Sequence, residues 1–344
     1  MALTLERIAP TGAAWERMDA FGDRVVFQTR EWLEFLARTQ GAEPVVAAVM
    51  DGDERVGYFT GLVVRRFGLR ILGSPFPGWT TESMGFNLDD GVSRREAAAA
   101  LIPFAFRTLG CAHVELKDRR LERDDDLHGL GFTSEPTRTF EVDLSDDETA
   151  IFGRMSSACR RAVRRGEKVG VTVEQATGAA FADEYYAQLV EVFARQSLVP
   201  TYDVERVRAL IDCLEPTGHL LLVRARSPEG VPVATAIFPA FNRTAYFWGG
   251  ASVREHQILR PNEAIFWYAM RYWRERGITT LDLGGGGEYK RKYGPRELRL
   301  PFFRRSRFPG LAVLREVARR AVEQRHALLG RARRAHVRPP TRTL

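Results

Sequence analysis

An alternating apolar stretch over 278–283 ends in four consecutive glycines, Gly284, Gly285, Gly286 and Gly287, followed by Glu288, Tyr289, Lys290, Arg291, Lys292, Tyr293 and Gly294. Glycine loses more backbone entropy on folding than any other residue and packs nothing, so a strand that ends in four of them needs positive φ or a very close approach to another group. We read that other group as a substrate. The cations behind the loop, with aromatic neighbours that can orient the lysines, suit an anion or a developing oxyanion. A solvated basic turn is the alternative reading. The position at the C-terminal end of a strand, where α/β sheets place ligands, favours a site.

Phosphate-loop readings fail. A Walker loop needs Gly-Lys-Ser/Thr entering a helix, and Gly287 is followed by Glu288. A dinucleotide fingerprint needs a long helix after the glycines, which Pro295 and Pro301 interrupt.

The order of elements repeats along the chain. In the first half, a helix over 31–39 precedes strands over 44–50, 55–66 and 70–73. A Pro/Gly loop over 74–79, a helix over 94–109, Gly110 and a strand over 112–116 follow. In the second half, helices over 181–196 and 204–214 precede strands over 220–226, 232–241 and 244–249. A helix over 262–276, Gly277 and the strand over 278–283 complete the series. Sequence identity between the halves is negligible, so the repeat rests on order alone. A boundary is expected where the strand over 139–144 gives way to the acidic linker Ser145, Asp146, Asp147 and Glu148.

The aromatic-Lys-x-x-aromatic-Gly pattern of Tyr289, Lys290, Tyr293 and Gly294, behind a strand carrying Asp282 and a glycine loop, resembles the ending of the FemABX and BioF2-like transferases. These are a branch of the GNAT acyltransferase superfamily. The resemblance extends to Pro261, Asn262 and Glu263 at the head of a helix and to the basic segment over 159–170. It implies an α/β (α+β) fold of two tandem GNAT-like domains with mixed sheets. The expected division is 1–145 as the acceptor-side domain and 146–309 as the donor-side domain with the catalytic loop. A basic C-terminal helix over 310–344, apolar at Leu311, Leu314, Ala318 and Val322, is expected to return to the first domain.

The same resemblance assigns candidate residues. Lys290 takes the family position beside the reacting carbonyl, as a catalytic cation, with a surface salt bridge as the alternative. Asp282 alternates with Leu281 and Leu283, so it faces the cleft or pairs with an arginine. Glu263 is a candidate base that also suits the helix dipole. Trp248 and Gly249 end a strand where a GNAT sheet splays to admit its donor. They join Gly284, Gly285, Gly286, Gly287, Tyr289 and Tyr293 as candidate substrate contacts. Arg160, Arg161 and Arg164 share a broad helix surface, facing a substrate or solvent. Thr80, Thr81 and Glu82 belong to a loop where the family lines its acceptor cleft.

Composition bounds the remaining classes. With 344 residues, 44% of them hydrophobic, the chain can bury a large core in two domains. No apolar run reaches the roughly 18 residues of a membrane span, and the N-terminus lacks a signal-peptide pattern, so a cytoplasmic protein is expected. Cys111, Cys159 and Cys213 are scattered and predict reduced thiols. The six histidines form no metal-spaced pair, and no nucleophile elbow surrounds a serine; neither a metal nor a resident cofactor is expected. The formal charge of +7 gathers in segments that fit tRNA, a pyrophosphate-bearing acceptor or an anionic membrane surface.

Ordinary GNAT enzymes hold the pyrophosphate of coenzyme A in a glycine-containing loop ahead of a helix. Here that position, 254–262, has no glycine. Keeping the fold without that grip resembles the FemX-like enzymes, and the resemblance implies transfer of an aminoacyl group from aminoacyl-tRNA to an amine of a cell-wall precursor or small peptide. Acyl-CoA-dependent transfer in exopolysaccharide or lipid metabolism, and a non-catalytic tRNA- or membrane-binding module, are the alternatives.

Overall fold

The computed structural model describes residues 2–308 and Gly310. Its first half runs β1 (Thr4–Ile8), α1 (Gly12–Asp19), α2 (Arg30–Gln40), β2 (Glu43–Asp51), β3 (Glu54–Arg66) and β4 (Leu69–Ser74). β5 (Gly85–Leu88), α3 (Arg94–Pro103), β6 (His113–Leu116) and β7 (Thr133–Asp143) follow. The second half begins with α4 (Glu148–Arg154), α5 (Ser157–Lys168), β8 (Thr172–Ala176), α6 (Ala179–Arg195) and α7 (Val204–Leu214). It continues through β9 (Leu220–Arg226), β10 (Pro232–Phe241), β11 (Thr244–Tyr246), β12 (Gly249–Ser252), α8 (Pro261–Arg274), β13 (Thr280–Asp282) and β14 (Arg296–Ser306).

Local sequence explains the main elements. In α2, Trp32, Leu33, Phe35 and Leu36 recur at helical spacing and are buried, while Thr29 Oγ1 caps the Trp32 amide and Gly41 ends the helix in the left-handed region. Each such side chain contributes about 1.5–3 kcal/mol of burial. The buried stripe packs in one cluster with Tyr185, Val207, Leu210 and Tyr246 of the second half. The halves therefore share a core.

All strands among the described residues lie in one connected sheet, ordered β1-β2-β3-β4-β6-β14-β7-β13-β11-β10-β9-β8, with β5 on β3 and β12 on β10. Its two parallel strand pairs, β4 with β6 and β11 with β13, each follow a helical crossover that ends in a left-handed glycine, Gly110 or Gly277. These are the helix-glycine-strand units expected from the order of elements. Between them the halves exchange strands. β7 leaves the first half to pair with β13, and β14 follows the glycine loop to lie between β7 and β6.

Four differences from expectation have physical reasons. The strand over 244–249 breaks after Tyr246, because the chain shifts register on β10 before resuming as β12. The edge strand β1 and the four-residue β5 are too short to declare themselves by alternation. The strand over 139–144 begins earlier, at Thr133, and β14 carries Pro301 in the middle of a charged run. Pro301 lies opposite Pro136 of β7, and at that point neither strand has a partner on its other side, so neither missing N–H is needed. The expected C-terminal helix over 310–344 falls outside the described residues apart from Gly310.

Candidate active site

β11 runs parallel to β13 as far as Tyr246, beside Asp282, and the Phe247 amide still donates to the Asp282 carbonyl at 2.8 Å. Beyond it the strands part. β12 stays on β10 through Ser252, while β13 turns into the glycine loop. The wedge opens into a cleft of about 480 Å³ between the halves. Phe76, Thr81, Glu82 and Lys117 line it from the first half, and Trp248, Asp282, Gly285 and Lys290 from the second.

The glycine loop is explained residue by residue. Gly284, Gly286 and Gly287 have φ of +72°, +74° and +73°, a region that L side chains rarely adopt. Gly285 serves close approach, since a Cβ there would stand 2.4 Å from the Arg138 carbonyl oxygen of β7. The close neighbour is thus the protein's own backbone, and the reading of that approach as a substrate contact is corrected. The Gly284 amide donates to Asp282 Oδ1 at 2.7 Å, which turns the loop carbonyls toward Lys290.

Lys290 sits in a 3₁₀ turn, Glu288–Tyr293, and is buried. Its Nζ donates to the carbonyls of Gly285 at 2.9 Å and Gly284 at 3.3 Å, and lies 5.9 Å from the Phe247 ring centroid. An ammonium has three N–H donors, so one remains for the cleft. Burial pulls the Lys290 ammonium below its ordinary value, opposed by the charges of Asp282 and Glu82. The group is held in place without a direct carboxylate partner among the described residues.

Asp282 is fully buried and its oxygens are engaged. Oδ1 accepts from the Thr139 hydroxyl as well as from Gly284, and Oδ2 accepts from Arg119 Nη1 at 3.1 Å. Burial and the charge of Glu82 push this carboxyl up to about 7, against the pull of Arg119 and Thr139. Arg119 also bonds Glu141, which takes Arg296 at 3.1 Å. The negative charges of Glu141 and Asp282 raise Arg119 above its ordinary value despite its burial, so it stays protonated. One network thus ties the first half, β7, β13 and β14 together beneath the glycine loop.

The other candidates separate. Trp248 lines the cleft, and its indole N–H has no partner among the described residues. Gly249 supports it from behind, because a Cβ would stand 2.4 Å from the Tyr185 hydroxyl oxygen. Tyr289 and Tyr293 line a second hollow of about 360 Å³ with Phe247, Ser252, Arg254 and Asn262. Tyr293 is buried there and stacks on Phe266. Gly286 and Gly287 are exposed.

Glu263 does not reach the Lys290 cleft. It accepts from Lys292 Nζ at 2.7 Å and faces a separate hollow beside α5, so it clamps the 3₁₀ turn to α8. The two lysines consequently point to different places. Arg160 donates to the carbonyls of Gly153 and Met155, Arg161 borders the hollow beside α5, and Arg164 lies over the Phe152 ring. None of these three lines the cleft.

Sequence reasoning missed Lys117 and Arg119 and left Glu82 without a role. The available signal was the run Lys117-Asp118-Arg119-Arg120 directly after a strand, four charges where the chain should re-enter the core. Among the described residues, no three His, Cys, Asp or Glu side chains gather as a metal would require. No helix there is long and apolar enough to cross a membrane.

The splayed strands, the helix entering at the splay and the cleft at the end of β13 define a GNAT-type fold. Residues 153–292 match the acetyltransferase (GNAT) domain family. FemX superposes with a TM-score of 0.72 at 17% identity, over 87% of this chain and 96% of that one. A tandem GNAT protein from the clavulanic acid biosynthesis pathway gives 0.53 at 14% identity, over 89% and 99%. The chain thus carries a match to the GNAT domain family over 153–292 and shares its overall fold with FemX. The lipid II:glycine glycyltransferase of Staphylococcus saprophyticus subsp. saprophyticus is 28% identical over 82 residues, covering 24% of this chain and 18% of that enzyme. The Staphylococcus aureus counterpart is 36% identical over 58 residues, 17% and 14% of the two chains. The alignments thus span less than a fifth of these curated relatives.

Proposed function

We propose that the protein is an N-acyltransferase that moves an aminoacyl group from aminoacyl-tRNA to the amine of a cell-wall precursor or small peptide. The observation that carries this reading is Lys290, an ammonium seated on two glycine carbonyls with a free N–H at the end of the cleft. When an amine attacks the ester carbonyl, negative charge grows on the carbonyl oxygen, and a fixed cation in a water-poor cleft stabilises it without reorganising. Asp282 and Arg119 keep the loop that holds this lysine in shape. The acceptor class is supported by the lipid II-modifying relatives.

Acyl-CoA as donor is the second reading. The hollow at the start of α8 favours it, where Ser252, Arg254 and Asn262 gather beside a helix N-terminus that has no side-chain cap. The test is to mix the protein with labelled aminoacyl-tRNA pools or with acetyl-CoA, measuring binding and transfer to lipid II and to glycinamide. Transfer from tRNA, with affinity that falls steeply with salt because phosphate contacts release counterions, supports the first reading. Micromolar acetyl-CoA binding with none to tRNA overturns it.

A further inference from the structure

Amide formation from an amine needs a group that receives the amine's proton, and the acyl-transfer reading assigns none. Two carboxylates line the cleft, Glu82 from the first half and Asp282 from the second. Asp282 is enclosed, with Thr139, Gly284 and Arg119 occupying its oxygens. Glu82 differs. Its side chain retains 21% of its exposure; Oε1 accepts from Lys117 Nζ, and Oε2 carries no hydrogen bond among the described residues.

The backbone around Glu82 is fixed from both sides. Trp32 Nε1 donates to Thr81 Oγ1 at 3.2 Å, and Arg206 of α7 donates to the Trp79 carbonyl at 2.7 Å. On the far side the Met84 amide donates to the Lys117 carbonyl at 3.0 Å. A glutamate so braced is preorganised, as a group that must meet a reacting atom should be. The charged and titratable groups sharing the cleft with it are Lys117 on its own side, and Arg138, Tyr246, Asp282 and Lys290 across it. Glu82 is near enough to Asp282 and Lys290 to shift the titration of both.

We propose that Glu82 is a catalytic residue that receives the acceptor as an ammonium at Oε2 and takes its proton. This rests on the acyl-transfer reading. The ammonium gives a proton to the Glu82 carboxylate, and the freed nitrogen lone pair forms the N–C bond. The carbonyl π pair moves onto oxygen beside Lys290. The second proton then leaves nitrogen for solvent, C=O re-forms, and the bond from carbon to the donor's oxygen or sulfur breaks. That leaving atom takes the proton from Glu82, so the carboxylate is regenerated and the products are an amide and a free hydroxyl or thiol.

The test uses Glu82→Gln, which still offers Lys117 an acceptor oxygen, in the full chain. Glycinamide, mostly protonated at pH 7, is titrated into both proteins and followed by NMR shifts. At least roughly tenfold weaker binding by the variant is expected from loss of a charge-assisted contact; equal binding overturns the proposal. Transfer is then compared between glycinamide and hydroxylamine, which is already unprotonated at that pH. The variant should lose about a hundredfold with glycinamide and less than about threefold with hydroxylamine. Equal losses with both amines make Glu82 a structural partner of Lys117 and sink the idea. If the wild type transfers to neither amine from either donor, the acyl-transfer reading falls, while the titration still decides whether Glu82 binds an ammonium.

Discussion

The two helix-glycine-strand units end on the same device and use it differently. Asp118, two residues past β6, accepts from the Arg120 amide at 2.9 Å; Asp282, at the end of β13, accepts from the Gly284 amide at 2.7 Å. Both are fully buried, both pair with an arginine, and burial raises both carboxyls. In the first half the residues that follow are Arg119 and Arg120, and the aspartate is closed into a knot with Arg94 and the Phe86 amide. In the second half four glycines follow, and the space they leave admits Lys290. The strand-end aspartate is a scaffold common to both units, and the residues after it decide whether it supports a site. The first unit still contributes, because Arg119 crosses to Asp282.

That contrast can be broken by substitution. Lys290→Ala should lower turnover by roughly a hundredfold or more with little change in substrate affinity, since the interaction strengthens only in the transition state. Steady-state and single-turnover kinetics check it. Equal loss in affinity and none in turnover of bound substrate would recast the lysine as a docking charge.

Asp282→Asn should lower turnover about tenfold, through the displaced loop rather than through contact with substrate. It also carries a pH signature. The folded state holds the Asp282 proton more tightly than the unfolded chain, where the value is near 3.8, so its contribution to stability is complete below that pH. The contribution is lost as the pH rises through about 7. Urea midpoints between those limits should fall with pH in the wild type and lose this component in the variant.

Asp118→Asn should cost about 1–3 kcal/mol of stability by weakening a buried, charge-assisted network, yet change turnover less than about threefold. A turnover loss matching that of Asp282→Asn would show that the two ends are not functionally distinct. The smallest kinetic effect is expected for Lys292→Ala, which opens the clamp on Glu263 and should alter turnover by less than about twofold. A loss near that of Lys290→Ala would mean that general positive charge is the active quantity.

Much of this was legible in the sequence. The glycine run, the pattern at Tyr289 to Gly294 and the two helix-glycine-strand units are local signals, each contained in one continuous stretch of the chain. The partners of Asp282 were not legible. Arg119 and Thr139 lie 163 and 143 residues from it in sequence, and only the strand exchange brings them together. Glu263 and Arg160 misled for the converse reason, since a charged residue near a motif looks functional until its local partner, Lys292 or the Gly153 carbonyl, is seen. β14 was hidden by Pro301, which is harmless only because β14 has no partner on its other side at that point.

The interleaving of β7 and β14 bears on how the molecule comes apart. β14 pairs with β7 over nine positions, Arg296 to Arg304, and then with β6, so neither half can swing open on a linker without tearing this ladder. Access to the cleft must come from loop and side-chain movement. The halves should also melt as a single cooperative unit, with the amides of β14 exchanging hydrogen for deuterium only at the free energy of global unfolding. A chain cut between Asp143 and Glu148 would leave each fragment with a strand that completes the other, which makes the pair a natural candidate for reassembly from two separately expressed pieces.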